Sequence, residues 1–156
     1  MAAPYLFVDE WDVAAPPEAV FDALADARTY PRWWTPVYLS AEADGPPAVG
    51  RKASQHFKGR LPYTLKTSST IAALDPPHRI EADVTGDLSG RGVWTLTPRD
   101  GGTHVRFDWQ VHADRPLLRY LSPLLRPIFR WNHNWAIACA MRGLEPYAQR
   151  TAASAG

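Results

Sequence analysis

Arg126-Pro127-Ile128-Phe129-Arg130-Trp131-Asn132-His133-Asn134-Trp135 lies at the middle of a segment, Pro116 to Gln149, that reads as one long C-terminal helix. A helix of that length cannot bury an apolar stripe alone and needs a partner surface. At 100° per residue, Leu121, Leu125, Ile128, Trp135 and Cys139 share one face, assigned to that partner. Asn132 falls in the same stripe. A buried amide costs ~1–3 kcal/mol unless bonded, so Asn132 either bonds a backbone group of a bent strand or faces a polar cavity. His133 stands about 100° further round, on the flank. Arg142, at the margin, either reaches a ligand carboxylate or snorkels. Ser122-Pro123 reads as an N-cap and first-turn pair. Pro127 predicts a kink or restart, leaving 116–122 as a separate turn or movable flap.

The preceding chain supplies the partner. Tyr5 to Ala14 reads as a strand with Tyr5, Phe7, Asp9, Trp11 and Val13 on one face. Ala15-Pro16-Pro17-Glu18 opens a helix. Asp26 caps a second short helix through Tyr30, which Pro31 helps to end. Short strands follow at Val37 to Ala43, Gly50 to Lys58, Tyr63 to Leu74, His78 to Thr85, Arg91 to Thr97 and Thr103 to His112. Asp100-Gly101-Gly102 marks a tight hairpin. In the last strand Val105, Phe107, Trp109 and Val111 alternate with His104, Arg106, Asp108, Gln110 and His112. Strands joined by short turns form an antiparallel sheet, and the long helix covers one face of it. Residues 1–150 make a single domain, with 151–156 a frayed tail.

Composition narrows the function classes. At 156 residues, 46% apolar and 21% charged, the chain suits one ordinary globular domain. A net charge of +1 gives no general attraction to nucleic acid. Six arginines face a single acid, Glu145, between Arg115 and Arg150. Arg115, Arg119, Arg126 and Arg130 share the face opposite the apolar stripe. They make either a solvated face or a contact for an anionic membrane surface or acidic partner. One cysteine excludes a disulfide framework, and the first eleven residues lack the basic start of a secretory signal. A cytoplasmic protein is expected. The five histidines show no metal-ligand spacing, so neither metal nor cofactor is expected.

Three segments together, Ala15-Pro16-Pro17-Glu18-Ala19-Val20-Phe21, Tyr30-Pro31-Arg32-Trp33-Trp34 and Gly101-Gly102-Thr103-His104-Val105, resemble the START-like (SRPBCC) superfamily, in particular its polyketide cyclase/dehydrase-like group. The resemblance covers nearly the whole chain. It implies an α+β helix-grip fold: a curved seven-stranded antiparallel sheet around a long C-terminal helix, two short helices between the first two strands, and an internal cavity. Members include lipid and hormone carriers and aromatic polyketide cyclases. The Arg126–Trp135 run does not match a catalytic motif of the well-known cyclases.

Two functions are therefore carried forward. One is binding or transport of a hydrophobic molecule (a lipid, isoprenoid or aromatic polyketide-like compound) in that cavity. The excess of seven Trp, six Tyr and five Phe suits its walls, although it equally suits a bulky core. Candidate ligand contacts are Trp34, Phe57, Tyr63, Thr67, Trp94, Trp109, Asn132, Trp135 and Arg142, with Leu65, Ser69, Leu96 and Phe107 on the same strand faces. The other is a cyclase or dehydratase using the same cavity with acid–base help from Tyr63, His133, Glu81 or Asp83. Glu81 and Asp83 share a strand face. They point to solvent if Ile80, Ala82 and Val84 turn inward, and pair inside the cavity in the opposite register.

Overall fold

The computed structural model describes residues 5–60, 64–113 and 116–155. Seven strands, β1 (Tyr5–Val13), β2 (Tyr38–Ala43), β3 (Lys52–Lys58), β4 (Thr64–Asp75), β5 (Arg79–Gly86), β6 (Leu88–Arg99) and β7 (Gly102–Ala113), form one antiparallel sheet in the order β1-β7-β6-β5-β4-β3-β2. The helices α1 (Pro17–Ala25) and α2 (Tyr30–Trp33), joined by a 3-10 turn at Ala27–Thr29, lie between β1 and β2, and α3 (Pro116–Ala155) ends the chain. This is the expected helix-grip architecture.

Local chemistry sets most boundaries. Pro17 starts α1, where its missing N–H had no partner. The Asp26 carboxylate caps the 3-10 turn by accepting the Arg28 N–H at 3.1 Å. Pro31 lies in the first turn of α2 and so begins that helix, where it was expected to end one. The alternation of β7 holds: Val105, Phe107 and Val111 are buried, while Arg106, Gln110 and His112 are exposed.

The C-terminal helix differs from expectation in three ways. It begins at Pro116 and passes Ser122-Pro123 and Pro127 without interruption, so 116–122 is helix and not a separate turn. It continues to Ala155, past the expected end at Gln149. Its buried stripe is also rotated from the expected one. Ile137, Ala140, Leu144 and Ala148 are buried, and together with His133 they occupy an arc of about 80°. Cys139 of the expected stripe is buried as well, but Ile128 is 42% exposed, as is Trp131 at 50%. The side chains of Leu121 and Leu125 lie outside the described residues. The reason for the rotation is close approach. A Cβ on Gly143 would stand 1.6 Å from the Trp33 carbonyl oxygen, so the helix must present its small residues where the α2 backbone approaches, while Ile137 and Leu144 fill the core beside them and Ile128 and Trp131 turn outward.

Two side chains one helical turn apart fix α3 to the end of β1. Glu145 Oε1 accepts the Ala14 N–H and Gln149 Nε2 donates to the Ala14 carbonyl, both at 2.8 Å. The Trp34 indole N–H donates to the Ala136 carbonyl at 2.8 Å, tying the helix to the α1–α2 segment. Among the described residues, no helix is long and apolar enough to cross a membrane.

Candidate functional site

The sheet curves around α3 and encloses a cavity of about 240 Å³, closed at one side by α1 and α2. Its walls are aromatic. Trp94 stacks on Phe107 at 4.0 Å between ring centres, and Phe107 on Trp109 at 6.2 Å. Trp34 packs against Trp94, Tyr30 and Tyr38, and Tyr38 against Phe57. Strand parity explains the wall, since Trp94 and Phe107 are register partners and Trp109 lies opposite Gly92, where no side chain intervenes. Burial pushes the Tyr30 and Tyr38 phenols well above their ordinary range, so each is a neutral donor and not a base. The Tyr30 hydroxyl is committed to the Leu24 carbonyl.

One wall is polar, built by β3 and β4. Gln55 and Phe57 of β3, and Arg51 just before it, face the cavity. Thr67 donates to Gln55 Oε1 at 3.2 Å, and Gln55 Nε2 donates to Ser69 Oγ at 2.8 Å. Arg51, just before β3, has a side chain only 5% exposed. Its Nη1 lies 3.9 Å from Asp26 Oδ1, beyond hydrogen-bond reach. Asp26 is already engaged by Arg28 through two hydrogen bonds of 2.8 Å, which hold its carboxyl below the usual carboxylate range.

Another part of the lining belongs to α3. His133 Nε2 lies 2.7 Å from Asp9 Oδ2, their side chains 12% and 16% exposed, and Phe7 stacks on the imidazole at 3.9 Å. In a neutral imidazole whose Nε2–H donates to the carboxylate, Nδ1 keeps its lone pair and can accept a proton. Asn132 Oδ1 accepts the Arg60 N–H at 2.7 Å. The amide packs so closely that a Cβ on Gly59 would meet Oδ1 at 1.9 Å. The Arg60 guanidinium lies over the rings of Trp131 and Trp135, at 5.7 and 5.5 Å.

Of the expected contacts, Trp34, Phe57, Thr67, Trp94, Trp109 and Asn132 line the cavity, with Leu65, Ser69 and Phe107, as does the acid–base candidate His133, while Leu96 lies buried in the core. Trp135 and Arg142 do not line it. Trp135 stands beneath Arg60, and exposed Arg142 donates to the Cys139 sulfur. Tyr63 lies outside the described residues. Ile80, Ala82 and Val84 turn inward, which places Glu81 and Asp83 on the other face, paired with Arg79 and Arg91. They therefore do not form a cavity acid pair. Arg115 and the side chains of Arg119 and Arg126 also lie outside the described residues; Arg130 is exposed and sits over Phe7. Among the described residues there is no cluster of three metal-ligating side chains.

Arg51, Gln55 and Asp9 were missed as site residues, yet parity points to each. Gln55 and Arg51 share the face of Phe57, and Asp9 shares the face of Phe7 and Trp11.

Comparison with known proteins agrees with this architecture. A family model described as polyketide cyclase / dehydrase and lipid transport matches residues 7–149. An uncharacterized protein of Mycobacterium tuberculosis is 26% identical over 171 residues, covering 98% of this chain and 90% of that one. A solved structure from Thermus thermophilus matches with a TM-score of 0.77 at 17% identity, covering 94% of this chain and 99% of that chain. The Zhui aromatase/cyclase from Streptomyces matches with a TM-score of 0.75 at 16% identity, over 98% of each chain. At such identities the structural likeness speaks for the fold.

Proposed function

The chain belongs to the polyketide cyclase/dehydrase and lipid transport family, and from that premise we propose that it binds an aromatic or polycyclic small molecule between the sheet and α3. The observation that carries this reading is the aromatic enclosure formed by Trp34, Tyr38, Phe57, Trp94, Phe107 and Trp109. Flat rings stack on such walls, and burying them supplies the larger part of the affinity. A cavity of about 240 Å³ suits a compact ring system better than a long acyl chain. The test is equilibrium binding to a panel of polycyclic aromatics, isoprenoids and fatty acids, read by tryptophan quenching. Saturable binding of the aromatics, weakened at least tenfold by Trp109→Ala, supports the reading. No saturable binding to any member by the folded protein sinks it.

The His133–Asp9 pair favours a second reading, a cyclase or dehydratase. The cavity would hold a folded poly-keto chain, and His133, oriented by Asp9, would take a proton from a carbon between two carbonyls. Turnover of a poly-β-keto thioester that falls at least a hundredfold in His133→Ala, with binding retained, supports it. Unchanged turnover in that variant removes it.

A further inference from the structure

Arg51 is a cation placed in the wall of an otherwise aromatic cavity. Arginine stays protonated in proteins, and its side chain is 5% exposed. Among the described residues, no acceptor lies within hydrogen-bond reach of the buried Nε and Nη1. Asp26 is the nearby acid, at 3.9 Å, and it already pairs with Arg28. Two guanidinium groups thus share one carboxylate, which leaves a positive charge uncompensated on the cavity side. A buried charge without a partner is strongly unfavourable, and hydrogen bonding to an anion relieves it.

The neighbouring hydroxyl adds direction. Thr67 donates to Gln55, and Gln55 donates to Ser69, so the Ser69 hydrogen remains free for a further acceptor. Ser69 pairs with Ala53, and the Ile71 N–H donates to the Arg51 carbonyl, so Ser69 is the diagonal cross-strand neighbour of Arg51. The guanidinium and the end of the hydroxyl chain therefore stand on adjacent positions of one wall. The stacked rings of Trp94, Phe107 and Trp109 are on β6 and β7.

From this placement we propose that the ligand is an aromatic carboxylate, its acid group held by Arg51 and Ser69 and its rings stacked against Trp94, Phe107 and Trp109. The assignment rests on the binding reading above and specifies the chemical class of the ligand. Neutral analogues of the same shape fill the aromatic part and leave the guanidinium unpaired.

A matched set of probes tests it: 2-naphthoate, its methyl ester and 2-naphthylmethanol, each titrated at pH 7.5 against the full chain. The wild type is expected to bind 2-naphthoate at least tenfold more tightly than either neutral probe. In Arg51→Met that preference disappears while affinity for the ester is kept or improved, which also shows that the variant is folded. Arg51→Lys retains part of the preference, because charge remains while the planar fork is lost. Equal binding of acid and ester by the wild type overturns the proposal without need of a variant, and leaves the aromatic cavity standing. So does an acid preference that persists in Arg51→Met. Binding of none of the three probes by folded wild type overturns the cavity reading, and the carboxylate site with it.

Discussion

Asp9 and His133 are 124 positions apart in sequence and 2.7 Å apart in space. Removing the carboxylate leaves a largely buried imidazole N–H without its acceptor, at a cost of about 1–3 kcal/mol. Asp9→Ala is accordingly expected to lower the stability measured by urea unfolding by that amount, and Asp9→Asn by less. A second histidine carries a pH dependence. His104, on the opposite face of the sheet, is hydrogen-bonded by Glu10 and Asp12, which raise its pKa above the ordinary 6.5. A raised folded value means that its contribution to stability is complete below about pH 6.5 and is lost as pH rises through the folded value. An NMR titration is expected to place its midpoint above 6.5, and Glu10→Gln to bring it back toward that value. These residues mark what the sequence made legible. Parity along β1 puts Asp9 on the inward face; only the fold brings it to His133, because no local pattern encodes a contact between the first strand and the last helix.

The elements show a similar division. Every strand was legible from its alternation and turn residues, and each boundary was found to within a few residues. The phase of α3 was not. Ile128, Trp131 and Trp135 dominate any count of apolar character, but the helix packs through Ile137, Ala140, Leu144 and Ala148, and Gly143 admits the Trp33 backbone. Once the phase is corrected, Asn132 has a clear role: its amide accepts the Arg60 N–H and fixes the end of β3 to α3. Gly59→Ala forces a methyl group against that amide and is expected to destabilise by about 1–3 kcal/mol. In an Asn132→Ala background the obstacle is gone, so the same change is expected to cost less than half as much. Thermal unfolding of the double-mutant cycle measures the difference, which additivity would set to zero.

At the scale of the whole molecule, the sheet and α3 form the core and also line the proposed binding cavity. A ligand in the cavity contacts elements from both ends of the chain, so binding opposes global unfolding. A saturating aromatic acid at about a hundred times its Kd contributes ~2.7 kcal/mol, which for a domain of this size raises Tm by roughly 5–10 °C. A shift of that size with 2-naphthoate, and a smaller one with its ester at equal concentration, is the expected calorimetric result.

The grip of Glu145 and Gln149 on the Ala14 peptide has a consequence for biosynthesis. These bonds join positions separated by 131 and 135 residues. The ribosome must release the last helix before the first strand can be clasped, and long-range closures of this kind slow folding. Until then the nascent chain exposes the tryptophans that later line the cavity. The interval between emergence of β1 and arrival of α3 is therefore the period of greatest exposure to aggregation, and a hydrophobic ligand already present would act as a folding template.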